Sequence, residues 1–459
     1  MKTFISTTVI VIILSAATSL QSMPPHPDWL RNADDEAKSR VQTVQQDARE
    51  RGLNAPGSSA LERLGQVRRD DPVTLNIAVI LVDFEDNEAD EEDYPVDHYL
   101  EMLFSVDEYE TGSMRDYYLE NSDGDVSIIG EVVGWYRMEQ TYEYYCNHEY
   151  GLGRYPRNAQ RLAEDAILTA DDDLDYGDFD NDDDGVVDAV FIVHAGPGAE
   201  EDPDNRDLIW SHAWDVRNLD ELDDVGFHKY SAVPENGNIG VYGHELGHAL
   251  FGLPDLYDTN YNSAGIGFWS MMSFGAWGDD GRRPLHFDAW CKLQLGWIEI
   301  RELEHDAEFL LEPVETSCEV IVMWTPGERD DEYFLVENRA RIGFDGEILG
   351  EGLLVYHVDE DMRDNDHPWW PDHQGIRHNL SHWSRQTEGG TSRSTKTTAT
   401  TATLSRAART IAHSTPTAIR TAGTTTARKP AWQYSTSNPA RTAYPHVGWL
   451  VWKRRKLSR

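Results

Sequence analysis

A five-residue segment in the middle of the chain has the residue types and spacing of a metal-binding helix. It reads HELGH, from His244 to His248, with Glu245 directly after the first histidine. On a helix, positions i and i+4 lie on one face, so both imidazoles can bind one ion while the carboxylate lies beside it. Zinc takes nitrogen and oxygen ligands and keeps one position for water in catalytic sites. The segment therefore predicts a zinc site, with Glu245 as the general base of amide hydrolysis.

A third protein ligand is expected, because catalytic zinc sites usually have three. The sequence GLPD follows the histidine pair, with Gly252 as the stop signal of the helix and Asp255 three residues later. Its Gly and Pro predict a sharp turn that returns a carboxylate toward the helix end. We take Asp255 as the third ligand, with Asp258 as the alternative.

A second cluster of carboxylates has the spacing of a cation-binding loop and consists of Asp180, Asp182, Asp184 and Asp188. Acidic residues at alternating positions, followed by Gly185, resemble the start of a calcium loop, where Gly permits a sharp turn. The EF-hand pattern is incomplete, because its twelfth position is Phe191 rather than Glu. We expect Ca²⁺ to bind here and to stabilise the following strand; the alternative is a solvated acidic turn.

The hydrophobic pattern predicts the elements that position these residues. β-Branched apolar runs predict strands at 75–84, 126–135, 186–196, 333–338 and 351–360. Apolar residues at helical spacing predict helices at 157–170 and 238–252. This mixture of elements is typical of an α+β fold.

The N-terminal residues predict export and a pro-segment. Lys2, an apolar run from Val9 to Leu14 and small residues up to Ser22 follow the order of a secretory signal peptide. The run is about half of the roughly 20 residues that cross a bilayer, so we expect no membrane anchor. Residues 23–72 are charged and helix-prone, which indicates a pro-segment; a flexible linker is the alternative.

Charge and cysteine content limit the partners and the means of latency. The net charge of −42 argues against nucleic acid and anionic membranes as partners and favours bound cations. The cysteines allow at most one internal disulfide, with three pairings among Cys146, Cys291 and Cys318. Because the pro-segment has no Cys, latency must use something other than a zinc-bound cysteine. An acidic residue or steric blockage is expected.

The composition changes abruptly after about residue 375. Residues 376–459 contain fifteen Lys and Arg but one acidic residue, so the tail carries +14 and the preceding part −56. A disordered Thr/Ser-rich stalk is one explanation. The other, which we favour, is a tail translated out of frame; resequencing that finds an intact reading frame through codon 376 would contradict it.

Several blocks of the sequence resemble a known family. GHELGHALFGLPDLYD from Gly243 and FWSMMSFGAWG from Phe268 are similar to the immune inhibitor A-like secreted metallopeptidases, peptidase family M6, of the metzincin type. Similar blocks begin at Asp116, Asp178 and Ile209, and another at Leu285. The resemblance covers most of residues 73–360.

The resemblance implies a zincin-like domain with a mixed sheet, a backing helix and an active-site helix, followed by a short β-rich segment. It implies zinc ligands at His244, His248 and Asp255, with Glu245 as the general base. Met272 matches the Met-turn, an apolar floor beneath the metal.

Two positions depart from the family pattern. Three residues rather than two separate His248 from Gly252, so the helix is expected to run longer before it turns. Some metzincins have a Tyr shortly after the Met-turn that stabilises the oxyanion, whereas this chain has Phe274. The candidates to replace that hydrogen-bond donor are Tyr257, Tyr242 and His212.

We therefore expect a secreted, monomeric zinc-dependent endopeptidase that acts on proteins or peptides. Its expected parts are a signal peptide (1–22), a pro-segment (23–72), a catalytic domain (73–375, β-rich from about 305) and the tail (376–459). The alternative is a catalytically impaired, secreted surface or binding module stabilised by calcium.

Overall fold

A computed structural model describes most of the chain between residues 21 and 366 and two short later segments. The described residues are 21–53, 72–302, 308–324, 331–360, 362, 364–366, 381–387 and 397–400. Almost all of the expected signal peptide and most of the expected tail lie outside them.

The first layer is a five-stranded mixed sheet. Its strands and a small adjoining pair are β1 (Val73–Asp83), β2 (Val126–Arg137), β3 (Val186–Val187), β4 (Val190–His194), β5 (His212–Asp215), β6 (Gly226–Phe227) and β7 (Lys229–Pro234). The order is β2-β1-β4-β7-β5, and β3 pairs with β6. All neighbours in the large sheet are parallel except β5, which runs antiparallel to β7 and forms an edge. Parallel strands buried on both faces read as continuous apolar runs, which is why β1 and β4 were predictable.

Helices precede and connect the strands of this sheet, and the third, fourth, sixth and seventh of them pack against it. They are α1 (Pro27–Asn32), α2 (Asp35–Glu50), α3 (Val96–Phe104), α4 (Met114–Asn121), α5 (Tyr142–Cys146), α6 (Ala159–Ala170) and α7 (Ile239–Ala249). Helix α6 begins after Asn158, whose side chain accepts a hydrogen bond from the Arg161 amide and so caps the helix. It buries Leu162 and Ile167 in the main core.

A second, smaller sheet follows in the chain. Its elements and neighbours are α8 (Ala289–Gln294), β8 (Glu299–Glu302), β9 (Glu308–Leu311), α9 (Val314–Ser317), β10 (Glu319–Trp324), β11 (Glu332–Arg339), β12 (Gly352–Asp359), β13 (Ser381–Thr387) and β14 (Thr397–Thr400). The strand order is β13-β12-β11-β10-β8, and β14 pairs with β9. One face of this sheet joins the main core through Val320, Leu335 and Tyr356. Strands β13 and β14 lie in the tail, for which the sequence predicted no strands.

Two observations bear on the chain's environment. Cys146, Cys291 and Cys318 are buried, and no two of them form the single disulfide that the sequence allows. In the part of the chain that the structure describes, no helix is long and apolar enough to cross a membrane.

Candidate metal centre

Helix α7 brings His244 and His248 together with their Nε2 atoms facing each other. The Nδ1 atom of His244 donates to the Met271 carbonyl at 2.8 Å, and that of His248 donates to the Leu253 carbonyl at 2.6 Å. Since a carbonyl only accepts, each imidazole has its proton on Nδ1 when neutral. The two Nε2 lone pairs then face each other across 3.1 Å.

Asp255 completes the group, whereas Asp258 lies elsewhere. The Oδ1 atom of Asp255 lies 3.1 Å from Nε2 of His244 and 3.2 Å from Nε2 of His248. Of the two candidates for a third ligand, the structure therefore brings Asp255 to the histidines. The Asp258 carboxylate instead accepts hydrogen bonds from Asn260 and Ser263, which shape the following loop.

The pKa shifts of His248 and Asp255 suit the binding of a metal cation. Burial lowers the pKa of His248, although Asp255 opposes that shift. Burial alone would raise the pKa of Asp255, but the two histidines outweigh it and lower the pKa below its ordinary value. Neutral imidazoles and an ionised carboxylate are the ligand forms that a metal requires. Three buried electron-pair donors, all within 4.8 Å of one another, fit a zinc ion.

The turn after α7 delivers Asp255, and it does so differently from the expectation. Helix α7 ends at Ala249, so it is shorter than the predicted helix, which ran up to Gly252 as its stop signal. Gly252 has φ +66°, and its amide donates to the His248 carbonyl at 3.1 Å. That bond closes the helix as a glycine C-cap does, and the Leu253 amide also donates to the Gly247 carbonyl at 3.0 Å. The additional residue between His248 and Gly252, relative to the family pattern, therefore lies in the turn and not in a longer helix.

Two methionines pack beneath α7 against two of its glycines. A Cβ on Gly247 would lie 2.6 Å from Met272 Sδ, and one on Gly243 would lie 2.6 Å from Met271 Cε. Met272 is fully buried, at the position expected of an apolar floor. Sequence reasoning missed the role of Met271, whose carbonyl orients His244. The two glycines four residues apart were an available signal of close packing.

Glu245 lies on the same helix in an apolar environment. Burial raises its pKa well above the ordinary value, and the charges of Asp255 and Glu200 add to the rise. The Met23 peptide N–H partly opposes this shift. Neither carboxylate oxygen has a hydrogen-bond partner among the described residues. A carboxylate held in this way is available to accept a proton.

The chain's own residues 21–24 lie across this centre as an extended segment, with an antiparallel bridge between Ser22 and His212. The Met23 amide donates to the Ser211 carbonyl at 3.1 Å, and the Ala213 amide donates to the Gln21 carbonyl at 3.2 Å, antiparallel to β5. The Ser22 amide donates to Asp255 Oδ2, and the Ser22 carbonyl oxygen lies 3.2 Å from His244 Nε2. Local sequence patterns gave no signal for this contact.

Two more histidines near the edge strand are buried without facing the ligand group. His212 bonds to the Trp210 carbonyl and the Tyr230 hydroxyl, and His194 bonds to the Ala195 carbonyl. Burial lowers the pKa of each to about 4. Both are therefore neutral in the folded protein at neutral pH.

Replacement of His194 by Phe is expected to make the protein less sensitive to acid. The unfolded state takes up the His194 proton near pH 6.5 but the folded state only near pH 4, so stability falls as pH decreases through this window. The pKa shift corresponds to about 3 kcal/mol of folding stability. The wild type should lose this stability as the pH falls, whereas His194→Phe should keep it. Melting temperatures of the wild type, His194→Phe and the exposed-histidine control His148→Gln at pH 7 and 4.5 measure this. Equal acid sensitivity of His194→Phe and the control would contradict the prediction.

The acidic loop brings three of its four predicted residues together. Asp180, Asp182 and Asp184 each offer an oxygen within 4.8 Å of the others. Asp188 lies outside this group, and its Oδ2 accepts hydrogen bonds from the amide and side chain of Asn181. The expectation that Asp188 is a ligand is therefore not supported by its position.

An α+β domain with two buried histidines, an aspartate and a glutamate beside them has the site of a metallopeptidase. The family model described as "Immune inhibitor A peptidase M6, catalytic domain" matches residues 61–298. The chain belongs to this family, which confirms the resemblance seen in the sequence.

Curated relatives support the assignment over part of their length. The chain is 31% identical over 276 residues to "Pre-pro-metalloprotease PrtV" of Vibrio cholerae serotype O1 (strain M66-2), covering 50% of this chain and 30% of that protein. It is 31% identical over 312 residues to "Immune inhibitor A" of Bacillus thuringiensis subsp. alesti, covering 56% and 45%. The matched segments thus span less than half the length of these relatives.

Proposed function

We propose that this protein is a secreted zinc-dependent endopeptidase, with His244, His248 and Asp255 as zinc ligands and Glu245 as the general base. The observation that carries the proposal is the extended segment formed by residues 21–24. An extended polypeptide pairs with the sheet edge next to the candidate ligands, with a peptide carbonyl beside His244 and the next amide near Glu245. Membership of the M6 peptidase family favours this function over an impaired binding module.

The edge of the sheet offers the groups that bind a peptide backbone. The Ser211 carbonyl and the Ala213 amide pair with the backbone of residues 21–23. The indole N–H groups of Trp210 and Trp277 donate to the next two carbonyls of the segment at 2.8 and 3.0 Å. Glu200, which is fully buried, accepts hydrogen bonds from the amide and hydroxyl of Ser211 and so fixes this edge. A substrate that runs antiparallel to β5 can use the same groups.

The chemistry then requires a proton acceptor next to the bound peptide. Zinc, when bound, polarises the substrate carbonyl and lowers the pKa of a water molecule. Glu245 accepts the proton from the attacking water and transfers it to the leaving amine nitrogen. The hydrogen bonds from His244 to Met271 and from His248 to Leu253 hold both imidazoles in one tautomer and orientation.

Casein cleavage by the full-length chain, activated by limited proteolysis, tests the function. Cleavage should be lost when a chelator removes the metal and restored by stoichiometric zinc. The metal content is measured in parallel, because the loss must follow the loss of zinc. A folded, zinc-loaded protein that leaves casein intact would refute the peptidase function.

We further propose that residues 23–72 are a pro-segment and that its N-terminal part blocks the site sterically. Helix α2 packs beside the site: the Tyr261 hydroxyl donates to Gln45 in the buried interface, and Arg49 pairs with Asp366 at 3.5 Å. Asp366 also accepts hydrogen bonds from the amide and hydroxyl of Thr259. The group nearest the candidate ligands is the backbone carbonyl of Ser22, the last residue of the expected signal peptide, and not an acidic side chain. The pro-segment begins at the next residue, and the carbonyls of Met23 and Pro24 accept hydrogen bonds from Trp210 and Trp277.

Replacement of Arg49 by Ala is expected to increase the activity of the uncleaved chain. Both partners of the Arg49–Asp366 pair are about 10% exposed, and loss of a charged hydrogen bond in such a place costs about 1.5–3 kcal/mol. Activity before proteolysis should therefore rise by about ten- to hundredfold. Arg40→Ala is the control, because the Arg40–Asp204 pair on the same helix is about half exposed and contributes little. Equal activities of the two variants would contradict docking through Arg49.

We also propose that Ca²⁺ binds at Asp180, Asp182 and Asp184, next to the short strand β3. Millimolar calcium should raise the melting temperature of the wild type, because a ligand that binds only the folded state stabilises it. The gain should disappear in Asp182→Asn and remain in Asp171→Asn, which changes an exposed aspartate outside the loop. An unchanged calcium effect in Asp182→Asn would contradict the site.

A further inference from the structure

The hydroxyl of Tyr257 contacts the same carbonyl oxygen that lies beside His244. Tyr257 is two residues after Asp255 and is fully buried. Its hydroxyl donates to the Ser22 carbonyl at 3.0 Å and lies 3.4 Å from the Ser22 hydroxyl. The same carbonyl oxygen is 3.2 Å from His244 Nε2. One peptide oxygen therefore lies between a candidate metal ligand and a phenol donor.

The other two candidates for this donor role are engaged elsewhere. The Tyr242 hydroxyl donates to the Pro234 carbonyl at 3.2 Å. His212 bonds to the Trp210 carbonyl and to the Tyr230 hydroxyl. Of the three candidates, only Tyr257 contacts the segment that lies across the site through its polar atom.

The Tyr257 ring is held rigidly by its neighbours. It stacks on Tyr261 with ring centroids 6.5 Å apart and packs against Phe274 at 5.9 Å. The adjacent Leu256 amide donates to the Met272 carbonyl at 2.7 Å, which joins the ligand loop to the turn beneath the metal. Phe274, which lacks a donor of its own, thus supports the ring that has one. A donor fixed in advance stabilises developing charge without reorganisation.

We infer that Tyr257 is a catalytic residue that donates a hydrogen bond to the carbonyl oxygen of the scissile peptide bond. This inference rests on the proposed peptidase function and uses residues 21–24 as the guide to the position of a substrate. The hydrogen bond strengthens as negative charge develops on that oxygen, and the proton stays on the Tyr257 oxygen throughout. The hydroxyl therefore acts more strongly on the transition state than on the bound substrate.

The test compares Tyr257→Phe with Tyr261→Phe in the zinc-loaded full-length chain after limited proteolysis. Each variant loses one buried tyrosine hydroxyl, but that of Tyr261 contacts Gln45 of the pro-segment. In Tyr257→Phe, kcat should fall by about 10²–10³ with little change in KM, as on loss of one oxyanion donor. In Tyr261→Phe, kcat should remain that of the wild type.

A binding measurement gives a readout other than activity. Calorimetry measures the affinity of each variant for two ligands. One is a phosphinic pseudopeptide, whose tetrahedral anionic group resembles the transition state, and the other is the product peptide of matching sequence. Tyr257→Phe should weaken phosphinic binding by about 10²-fold and leave product binding within about twofold. Zinc content and melting temperature should match those of Tyr261→Phe.

The outcomes distinguish the inference from the proposed function. A wild type that neither cleaves casein nor binds the phosphinic peptide overturns the function itself. A cleaving wild type whose kcat and phosphinic affinity survive in Tyr257→Phe overturns the role of Tyr257. If Tyr257→Phe loses zinc or its folded state, 3-fluorotyrosine at position 257 is used, since it keeps the shape and makes the hydroxyl more acidic. It should change kcat by roughly twofold at an unchanged melting temperature, and an unchanged kcat overturns the inference.

Discussion

Replacement of Glu245 by Gln should lower kcat on casein by about 10²–10⁴-fold, the range that general-base catalysis supplies. The amide has nearly the same shape but cannot accept the proton of the attacking water. Glu245 is fully buried and has no hydrogen-bond partner among the described residues. The variant should therefore keep its zinc and its melting temperature, and the loss should fall on kcat rather than on folding.

Glu201→Gln is the matched control, because the same chemical change is made at an exposed glutamate. Its kcat should stay within about twofold of the wild type, as expected for a surface substitution away from the site. Zinc content is measured in all three proteins. If Glu245→Gln retains more than about a tenth of the wild-type kcat with full zinc content, Glu245 is not the base.

Much of the candidate site could be predicted because its spacing is local. An interval of four residues on a helix fixes His244 and His248 on one face, and a Gly-Pro turn returns Asp255 toward them. The helix end was predicted less well, because three residues after His248 fit either another turn of helix or a glycine-closed turn. How closely the methionine turn packs against α7 is shown only by the structure, in which Met271 and Met272 contact two glycines of that helix.

The contacts that cover the site could not be read from local patterns. Ser22 and Asp255 are more than 230 residues apart, and no periodicity relates them. The choice of Tyr257 over Tyr242 and His212 depends on the same long-range contact. The sequence could offer three donors, but only the position of the Ser22 carbonyl distinguishes them.

In the fold, too, some strands could be predicted from local patterns and others could not. Buried parallel strands such as β1 and β4 are continuous apolar runs. The bounds of β1 were predicted to within two residues, whereas the single strand predicted at 186–196 is divided into β3 and β4. The edge strand β5 has only four residues, so its antiparallel pairing with β7 had no pattern from which to be predicted. That pairing nevertheless creates the free edge on which residues 21–23 lie.

Replacement of Arg339 by Ala should destabilise the protein by about 3–5 kcal/mol, the cost of breaking a buried charge network. Arg339 is fully buried on β11 and makes a bidentate pair with Asp345, at 2.6 and 2.7 Å. It also pairs with Glu337 at 3.1 Å and lies 3.4 Å from Glu315. Although burial alone would raise the pKa of Asp345, Arg339 holds it well below its usual range. Burial and the neighbouring Asp345 raise the pKa of Glu315.

The melting temperature should fall by about 10 °C in Arg339→Ala. Arg341→Ala is the control, because Arg341 is exposed and its guanidinium donates to the Ile348 carbonyl on the neighbouring turn. It should change stability by less than about 1 kcal/mol. Differential scanning calorimetry of both variants, with and without zinc, measures these changes.

The Arg339 network also contacts the turn beneath the metal, so its loss should weaken zinc binding. Arg339 donates to the Trp269 carbonyl at 3.1 Å, and Asp345 accepts from the His286 amide. The His286 carbonyl in turn accepts from the Met271 amide, and the Met271 carbonyl orients His244. Competition with a chelator should therefore remove zinc faster from Arg339→Ala than from Arg341→Ala. Unequal stability with equal zinc retention would mean that the network holds the second sheet without positioning the metal centre.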